Sequence, residues 1–282
     1  MVGVILHDCR FSCGKMHGEH NMGEKLVIEF DGDPEIVVYD HEHGRHHLHE
    51  DQWISETIIS RLQRDGVRFH ADDNISQYIT DDERNKLIDE VTDKFEDVLR
   101  ALIIDTVSDP NSQGTARRLA KMYINELMSG RYFPDPKVTS FPNDETGGCV
   151  DPYKGMLVVR AELKSMCSHH HQTVTGTAYI AVIPDKRVIG LSKYIRIAQH
   201  EARRGTLQEQ LCGRIAKAIS KATESPHVAV YIEARHGCCE NRGISAANSL
   251  TQTTVLLGDF LTDHSVRTEF LSNVKLQKYK CD

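Results

Sequence analysis

Two well-separated apolar segments of this chain alternate with a period of two, and each runs into a thiol. In Leu157–Cys167, residues Leu157, Val159, Ala161, Leu163 and Cys167 share one parity. In Val228–Cys238, so do Val228, Val230, Ile232, Ala234, His236 and Cys238. Successive side chains of a strand point to opposite faces, so the spacing predicts two strands with apolar inner faces and sulfur at their ends. Both strands would approach one interior, which restricts the fold to a sheet with a covered face.

The first segment continues as Ser165-Met-Cys-Ser-His-His170 and the second as Glu233-Ala-Arg-His-Gly-Cys-Cys239. Cysteine and histidine are the ligands zinc prefers, and a catalytic zinc keeps three protein ligands and an open position. Two thiolates and one imidazole would make such a site. The spacing is not the paired C-x2-C signature, so buried free cysteines, common in cores, are the competing reading.

Around these segments the pattern is helical. Thr80 and Glu83 fit a capping box, followed at intervals of three or four by Leu87, Val91, Phe95, Val98 and Leu102. The loop Asp109-Pro-Asn-Ser-Gln-Gly114 leads to a second helix ending near Ser129-Gly130. Strands then dominate to about residue 190, with a hairpin or loop around His169–Gln172. Helices are expected over about 192–204 and 206–222, a strand over 228–236, and a short C-terminal helix near Val266–Val274. Helices followed by a strand pair, two helices and another strand pair is an α+β order rather than an alternating one.

Residues 1–75 read as a small separate α/β unit, and 76–282 as the main domain. Lys25–Phe30 and Glu35–Tyr39 are candidate strands about the turn Asp31-Gly-Asp-Pro34. Trp53, Ile54, Thr57, Ile58 and Leu62 recur at helical spacing, with Gly66 as a C-terminal stop. This unit also carries His7, Cys9, Cys13, His17 and His20, then His41, His43, His46, His47 and His49. A second metal site is one reading and solvated loop histidines the other.

The formal net charge of −7 argues against a nucleic-acid partner, which a basic face would attract. No apolar run is long enough to predict a membrane span. Met1-Val-Gly-Val-Ile-Leu-His-Asp shows no signal-peptide pattern, and the scattered cysteines form no disulfide framework. A cytoplasmic protein with reduced thiols is the expectation.

Six blocks carry a resemblance to a known family: Arg118–Gly130, Cys167-Ser-His-His170, Val188–Ile197, Leu207-Gln-Glu209, His236-Gly-Cys238 and Arg242-Gly243. In this order they resemble GTP cyclohydrolase I, over roughly residues 80–275; residues 1–75 are not covered. The resemblance implies a tunnelling fold, an antiparallel sheet with helices on one face. It implies zinc (Zn2+) on Cys167, His170 and Cys238, with a water activated to attack C8 of the guanine of GTP. Formate leaves and the ribose recloses to dihydroneopterin triphosphate, which feeds folate-type or 7-deazaguanine pathways.

By the same resemblance His169 and His236 move protons, and Glu209 accepts hydrogen bonds from the guanine edge with Gln208 as its neighbour. Thr206-Leu-Gln-Glu209 also fits a capping box, a structural alternative for Glu209. Arg118, Lys193, Arg196 and Arg242 match triphosphate contacts, and Ser192 the ribose–phosphate end; a solvated charged face is the plainer reading. A homo-oligomer, a decamer of two pentameric rings with intersubunit sites, completes what the family implies. Ser168 departs from the family pattern, which places Glu between the cysteine and the histidines, so the proton relay or ligand orientation differs. His171 and Glu201 are other departures, and either could fold back to replace the lost charge. A nucleotide-binding relative without turnover, and a nitrile reductase of the same fold acting on a deazaguanine, are the competing functions.

Overall fold

The structure is a computed structural model, and it describes residues 25–30, 33–40, 44–47, 53–144 and 151–279. The chain divides into two compact units, Met1–Gln52 and Trp53–Asp282. In the first, β1 (Lys25–Phe30), β2 (Asp33–Asp40) and β3 (Gly44–His47) form an antiparallel sheet in that order. The two expected strands are present and a third follows. The cysteines and histidines from His7 to His20, with His41, His43 and His49, lie outside the described residues, as do the side chains of His46 and His47.

The second compact unit begins at Trp53 and includes residues 53–75. Helix α1 (Ile54–Arg64) packs Ile54 beside Leu87, Ile88, Ala120 and Ile124, and Arg61 binds the Glu83 carboxylate at 2.6 Å. An amphipathic pattern reveals that a helix has an apolar face but not which partner covers it. Gly66 takes φ 63° just beyond the helix end, as expected. In α2 (Asp81–Ala101) the capping box is formed: Glu83 N–H donates to Thr80 Oγ1 at 3.1 Å and Thr80 N–H to Glu83 Oε2 at 2.9 Å. The next helix begins as α3 (Thr115–Lys121), widens into a π-helical stretch at Met122–Leu127, and ends in α4 (Ser129–Tyr132).

The main sheet has the order β10-β9-β6-β5-β8, from β5 (Leu157–Cys167), β6 (Thr173–Val182), β8 (Gly205–Thr206), β9 (Val228–His236) and β10 (Thr251–Leu256). It is antiparallel except at the edge, where β8 runs parallel to β5. A separate pair joins β4 (Ser140–Pro142) to β7 (Arg187–Ile189). The parity read from the sequence holds: Ala161, Leu163, Cys167, Val228, Val230, Ile232 and Ala234 all enter one core. Helices α5 (Leu191–Ala202) and α6 (Gln208–Thr223) cover it with Tyr194, Ile197, Leu211, Ile215 and Ile219.

Helices on one face only is corrected. Opposite-parity residues Tyr179, Ala181 and Ala229 pack against Phe260, Phe270 and Val274 of the C-terminal segment. That segment is α8 (Asp259–Thr262) and α9 (His264–Tyr279), longer than the expected 266–274. Among the described residues no helix is long and apolar enough to cross a membrane.

Candidate metal centre and active site

Strand β6 holds the ends of β5 and β9 side by side: Met166 pairs with Thr173, and Val174 with His236. The β5–β6 connection is closed by Cys167 N–H on the Gln172 carbonyl and His171 N–H on the Cys167 carbonyl, both at 2.9 Å. Ser168, His169 and His170 are carried on this loop. On the other side β9 stops at His236 and the chain turns into α7 (Gly237–Glu240). Cys238 therefore sits on a helical turn rather than on the extended strand that its parity suggested. Gly237 makes the turn feasible, since a Cβ there would lie 3.0 Å from the Thr173 carbonyl oxygen.

The structure brings Cys167, His170 and Cys238 together, with their ligand atoms all within 4.8 Å of one another. Two thiolates and an imidazole match the donor set zinc takes when it keeps an open position. The electrostatics agree. Burial first, and then the neighbouring Cys167 and Cys239, push the Cys238 thiol up to about 11. Thiolates so close together need a cation between them, and metal binding supplies it. Cys239 Sγ lies 4.0 Å from Cys238 Sγ. Cys212 is different: it is fully buried on α6 with its thiol on the Val230 carbonyl, a core residue.

His236 lies beside this trio. Its Nε2 is 2.7 Å from Gln208 Oε1. Burial lowers its pKa below the ordinary imidazole value, opposed by the Glu209 and Glu240 carboxylates. Gln208 itself is only 5% exposed, and its Nε2 reaches the Ile232 and Thr251 carbonyls and the Thr253 hydroxyl. Both ends of its amide are thus engaged inside the protein, with its oxygen on His236.

Glu209 is exposed in the first turn of α6. The expected capping box Thr206–Glu209 does not form: α6 starts after Leu207 with no side-chain cap. Thr206 lies in β8, pairs with Cys167, and turns its hydroxyl to the Leu207 carbonyl and Arg214. Glu209 is left free for another use.

The cations separate into two groups. Arg242 is exposed and its Nη1 lies 3.0 Å from His170 Nε2, at the trio. Arg118 is exposed on α3 and bonds the Gln113 carbonyl of its approach loop and the Thr115 hydroxyl in the first turn of its own helix. Lys193 Nζ donates to the Lys137 carbonyl at 3.0 Å, and Ser192 and Arg196 are exposed on α5. The hydrogen bonds of Arg118 and Lys193 thus go to Gln113, Thr115 and Lys137, none of them a member of the trio. His169 is exposed, 6.3 Å from His170 ring to ring.

Neither expected replacement for the missing carboxylate reaches Ser168. His171 stacks toward Tyr123 at 5.7 Å, and Glu201 binds Arg204 and Arg214, each at 3.1 Å. Arg214 also holds Asp72 at 2.9 Å. This buried charge cluster was not read from the sequence; buried charges at helical spacing look like surface ones. His70, Asp72 and Asp73 form a second ligand-like group, but Arg214 and Arg68 already hold its carboxylates.

A sequence model of the family described as GTP cyclohydrolase I matches residues 91–275. The protein called GTP cyclohydrolase 1 in Aeromonas hydrophila is 40% identical over 189 residues, 65% of this chain and 84% of the relative. That of Vibrio cholerae is 34% identical over 222 residues, 78% of this chain and 97% of the relative. That of Shewanella amazonensis is 39% identical over 188 residues, 65% and 84% of the respective lengths.

Proposed function

This chain belongs to the GTP cyclohydrolase I family, and from that premise we propose that it is a zinc enzyme converting GTP to 7,8-dihydroneopterin triphosphate and formate. The observation that carries the reading is the convergence of Cys167, His170 and Cys238 beside His236. Cys167, His170 and Cys238 would hold the zinc, which would supply Lewis acidity and lower the pKa of a water towards neutral for attack on C8 of the guanine.

The remaining work belongs to the chain's own groups. Glu209, uncapped and exposed at the start of α6, accepts hydrogen bonds from the guanine N–H edge. His169 on the loop and His236 on β9 deliver and remove protons as the imidazole ring opens, a task suited to imidazole at neutral pH. Arg242 at the trio grips substrate oxygens with paired N–H groups. Ser192, Lys193 and Arg196 lie at the start of α5, whose first N–H groups have no side-chain cap. A helix N-terminus with cations beside it favours phosphate. Arg118 adds a further charge.

Because the hydrogen bonds of Arg118 and Lys193 go to Gln113, Thr115 and Lys137 rather than to the trio, we place the triphosphate cations of one copy at the metal centre of another. That requires a homo-oligomer, and a decamer of tunnelling-fold subunits in the cytoplasm is the form proposed. The exposed edge strand β10 gives a physical reason, since open edges need covering and ring closure removes them. The test is incubation of zinc-loaded protein with GTP, reading released formate and pterin fluorescence. Both products in equal amounts are expected. GTP bound without turnover would instead favour a catalytically silent relative, and no GTP binding would overturn the reading.

A further inference from the structure

The amide of Gln208 is oriented by its partners. Its Nε2 lies 3.1 Å from the Thr251 carbonyl oxygen and 3.3 Å from that of Ile232, with the Thr253 hydroxyl at 3.2 Å. Backbone carbonyls only accept hydrogen bonds, so the atom facing them must be the amide nitrogen. The flipped amide would set oxygen against two carbonyl oxygens at a site only 5% exposed, leaving buried acceptors unsatisfied. The amide oxygen is therefore the atom 2.7 Å from His236 Nε2. An amide oxygen cannot donate, so the hydrogen between them belongs to the histidine.

We propose that Gln208 is a positioning residue that fixes His236 as the Nε2–H tautomer, leaving Nδ1 as the only ring nitrogen with a free lone pair. The inference rests on the reading that His236 moves a proton in the reaction on GTP. Which nitrogen of a neutral imidazole carries the hydrogen is set by the bond the other one makes. Here that bond is held from three elements: α6 supplies Gln208, β9 supplies Ile232 and His236, and β10 supplies Thr251 and Thr253. The Gln208 oxygen can accept a hydrogen bond but cannot carry the proton onward. Every proton His236 exchanges with the substrate then passes through Nδ1, and the ring is aimed before the nucleotide arrives.

The test is 15N NMR, in the solid state if the assembly is large, on zinc-loaded protein carrying ring-15N histidine. His236 is assigned as the signal pair lost in His236→Gln. A protonated Nε2 with a bare Nδ1 is the expected result, and the opposite tautomer overturns the proposal. Gln208→Met keeps length and removes both hydrogen-bonding ends. It should turn the His236 signals into a mixture of tautomers and lower kcat by about tenfold or more, with KM for GTP changed by less than about twofold. An unchanged tautomer in that variant would also overturn the proposal. If Gln208→Met does not fold, Gln208→Glu keeps an acceptor for His236 and should keep the Nε2–H tautomer; an Nδ1–H tautomer there would count against the lock. The two readings fail separately. Wild-type protein that turns GTP over with His236 as the Nδ1–H tautomer refutes only the lock, whereas absence of turnover refutes the proposed function and leaves the tautomer result standing.

Discussion

Glu201 is the group whose removal should cost the fold most. Its carboxylate binds Arg204 and Arg214 at 3.1 Å each, and Arg214 binds Asp72 at 2.9 Å. The side chains are 11%, 6%, 20% and 15% exposed for Glu201, Arg204, Arg214 and Asp72. The four charges cancel. Burial first, with the neighbouring Arg214 charge, pushes the Arg204 guanidinium below its ordinary pKa, and Glu201 is the largest influence opposing that. Glu201→Leu keeps the volume and leaves Arg214 with Asp72, and Arg204 with only the largely exposed Asp135 carboxylate 4.0 Å away. Breaking a buried pair by removing one partner costs about 3–5 kcal/mol. For a unit of this size each kcal/mol shifts Tm by about 2–4 °C, so a drop of roughly 6–20 °C is expected. Removing both partners, Glu201→Leu with Arg204→Met, leaves the Asp72–Arg214 pair intact and should recover much of the loss, because apolar isosteres often replace an ion pair at little cost. Thermal unfolding at pH 7 and matched protein concentration is the assay, since assembly makes Tm concentration-dependent. A single variant within about 3 °C of wild type, or a double variant worse than the single, would refute this account.

Four further outcomes are expected. Arg61 first, opposed by burial, holds the Glu83 carboxyl down to about 2. Its stabilisation is thus complete above the ordinary value of 4.5 and lost as pH falls toward 2. With the pair 29% and 16% exposed, solvent screening leaves on the order of 1 kcal/mol, so urea midpoints of Glu83→Gln and wild type should differ at pH 6 and converge near pH 2. Gly176→Ala would place a Cβ 2.2 Å from the Glu233 carbonyl oxygen and 2.5 Å from Ala234 Cβ, forcing β6 and β9 apart. A loss of about 1–3 kcal/mol in chemical unfolding is expected, and unchanged stability would show that the strands part freely. Cys238→Ser should reduce zinc from about one per chain to a small fraction by elemental analysis; wild-type content would exclude Cys238 as a ligand. Glu209→Gln should leave Tm unchanged, because no cap is lost, and raise KM for GTP by about 10-fold or more; an unaltered KM would remove Glu209 from guanine recognition.

What the sequence made legible was local or periodic. The alternation of Leu157–Cys167 and Val228–His236 identified two strands and their shared buried face, because burial on one side imprints a period of two. The Thr80–Glu83 box could be read because both of its bonds lie within four residues. The Thr206–Glu209 box has the same pattern and fails, because Thr206 is drawn into an edge strand beside Cys167 by residues remote in the chain. Non-local demands also hid the internal hydrogen bonds of Gln208, whose amide bonds a carbonyl 43 positions away. Helix α9 was underestimated because its described buried residues are Phe270 and Val274, too few to mark its full length. The attachment of α1 to α2 was hidden for a related reason: α1 shows its apolar stripe, while the bond from Ser55 to Glu90 that ties it to α2 spans 35 positions.

Helix α6 presents Gln208 inward and Glu209 outward at consecutive positions. Successive residues of a helix project about 100° apart, and the backbone between them is stiff. The residue that aims the histidine and the residue proposed to read the base are therefore two points on one rigid rod, seated on Leu211, Ile215 and Ile219. A shift of that rod against the sheet moves aim and recognition together. Variation deep in the core under α6, far from any reacting atom, would register at the site as a change of alignment.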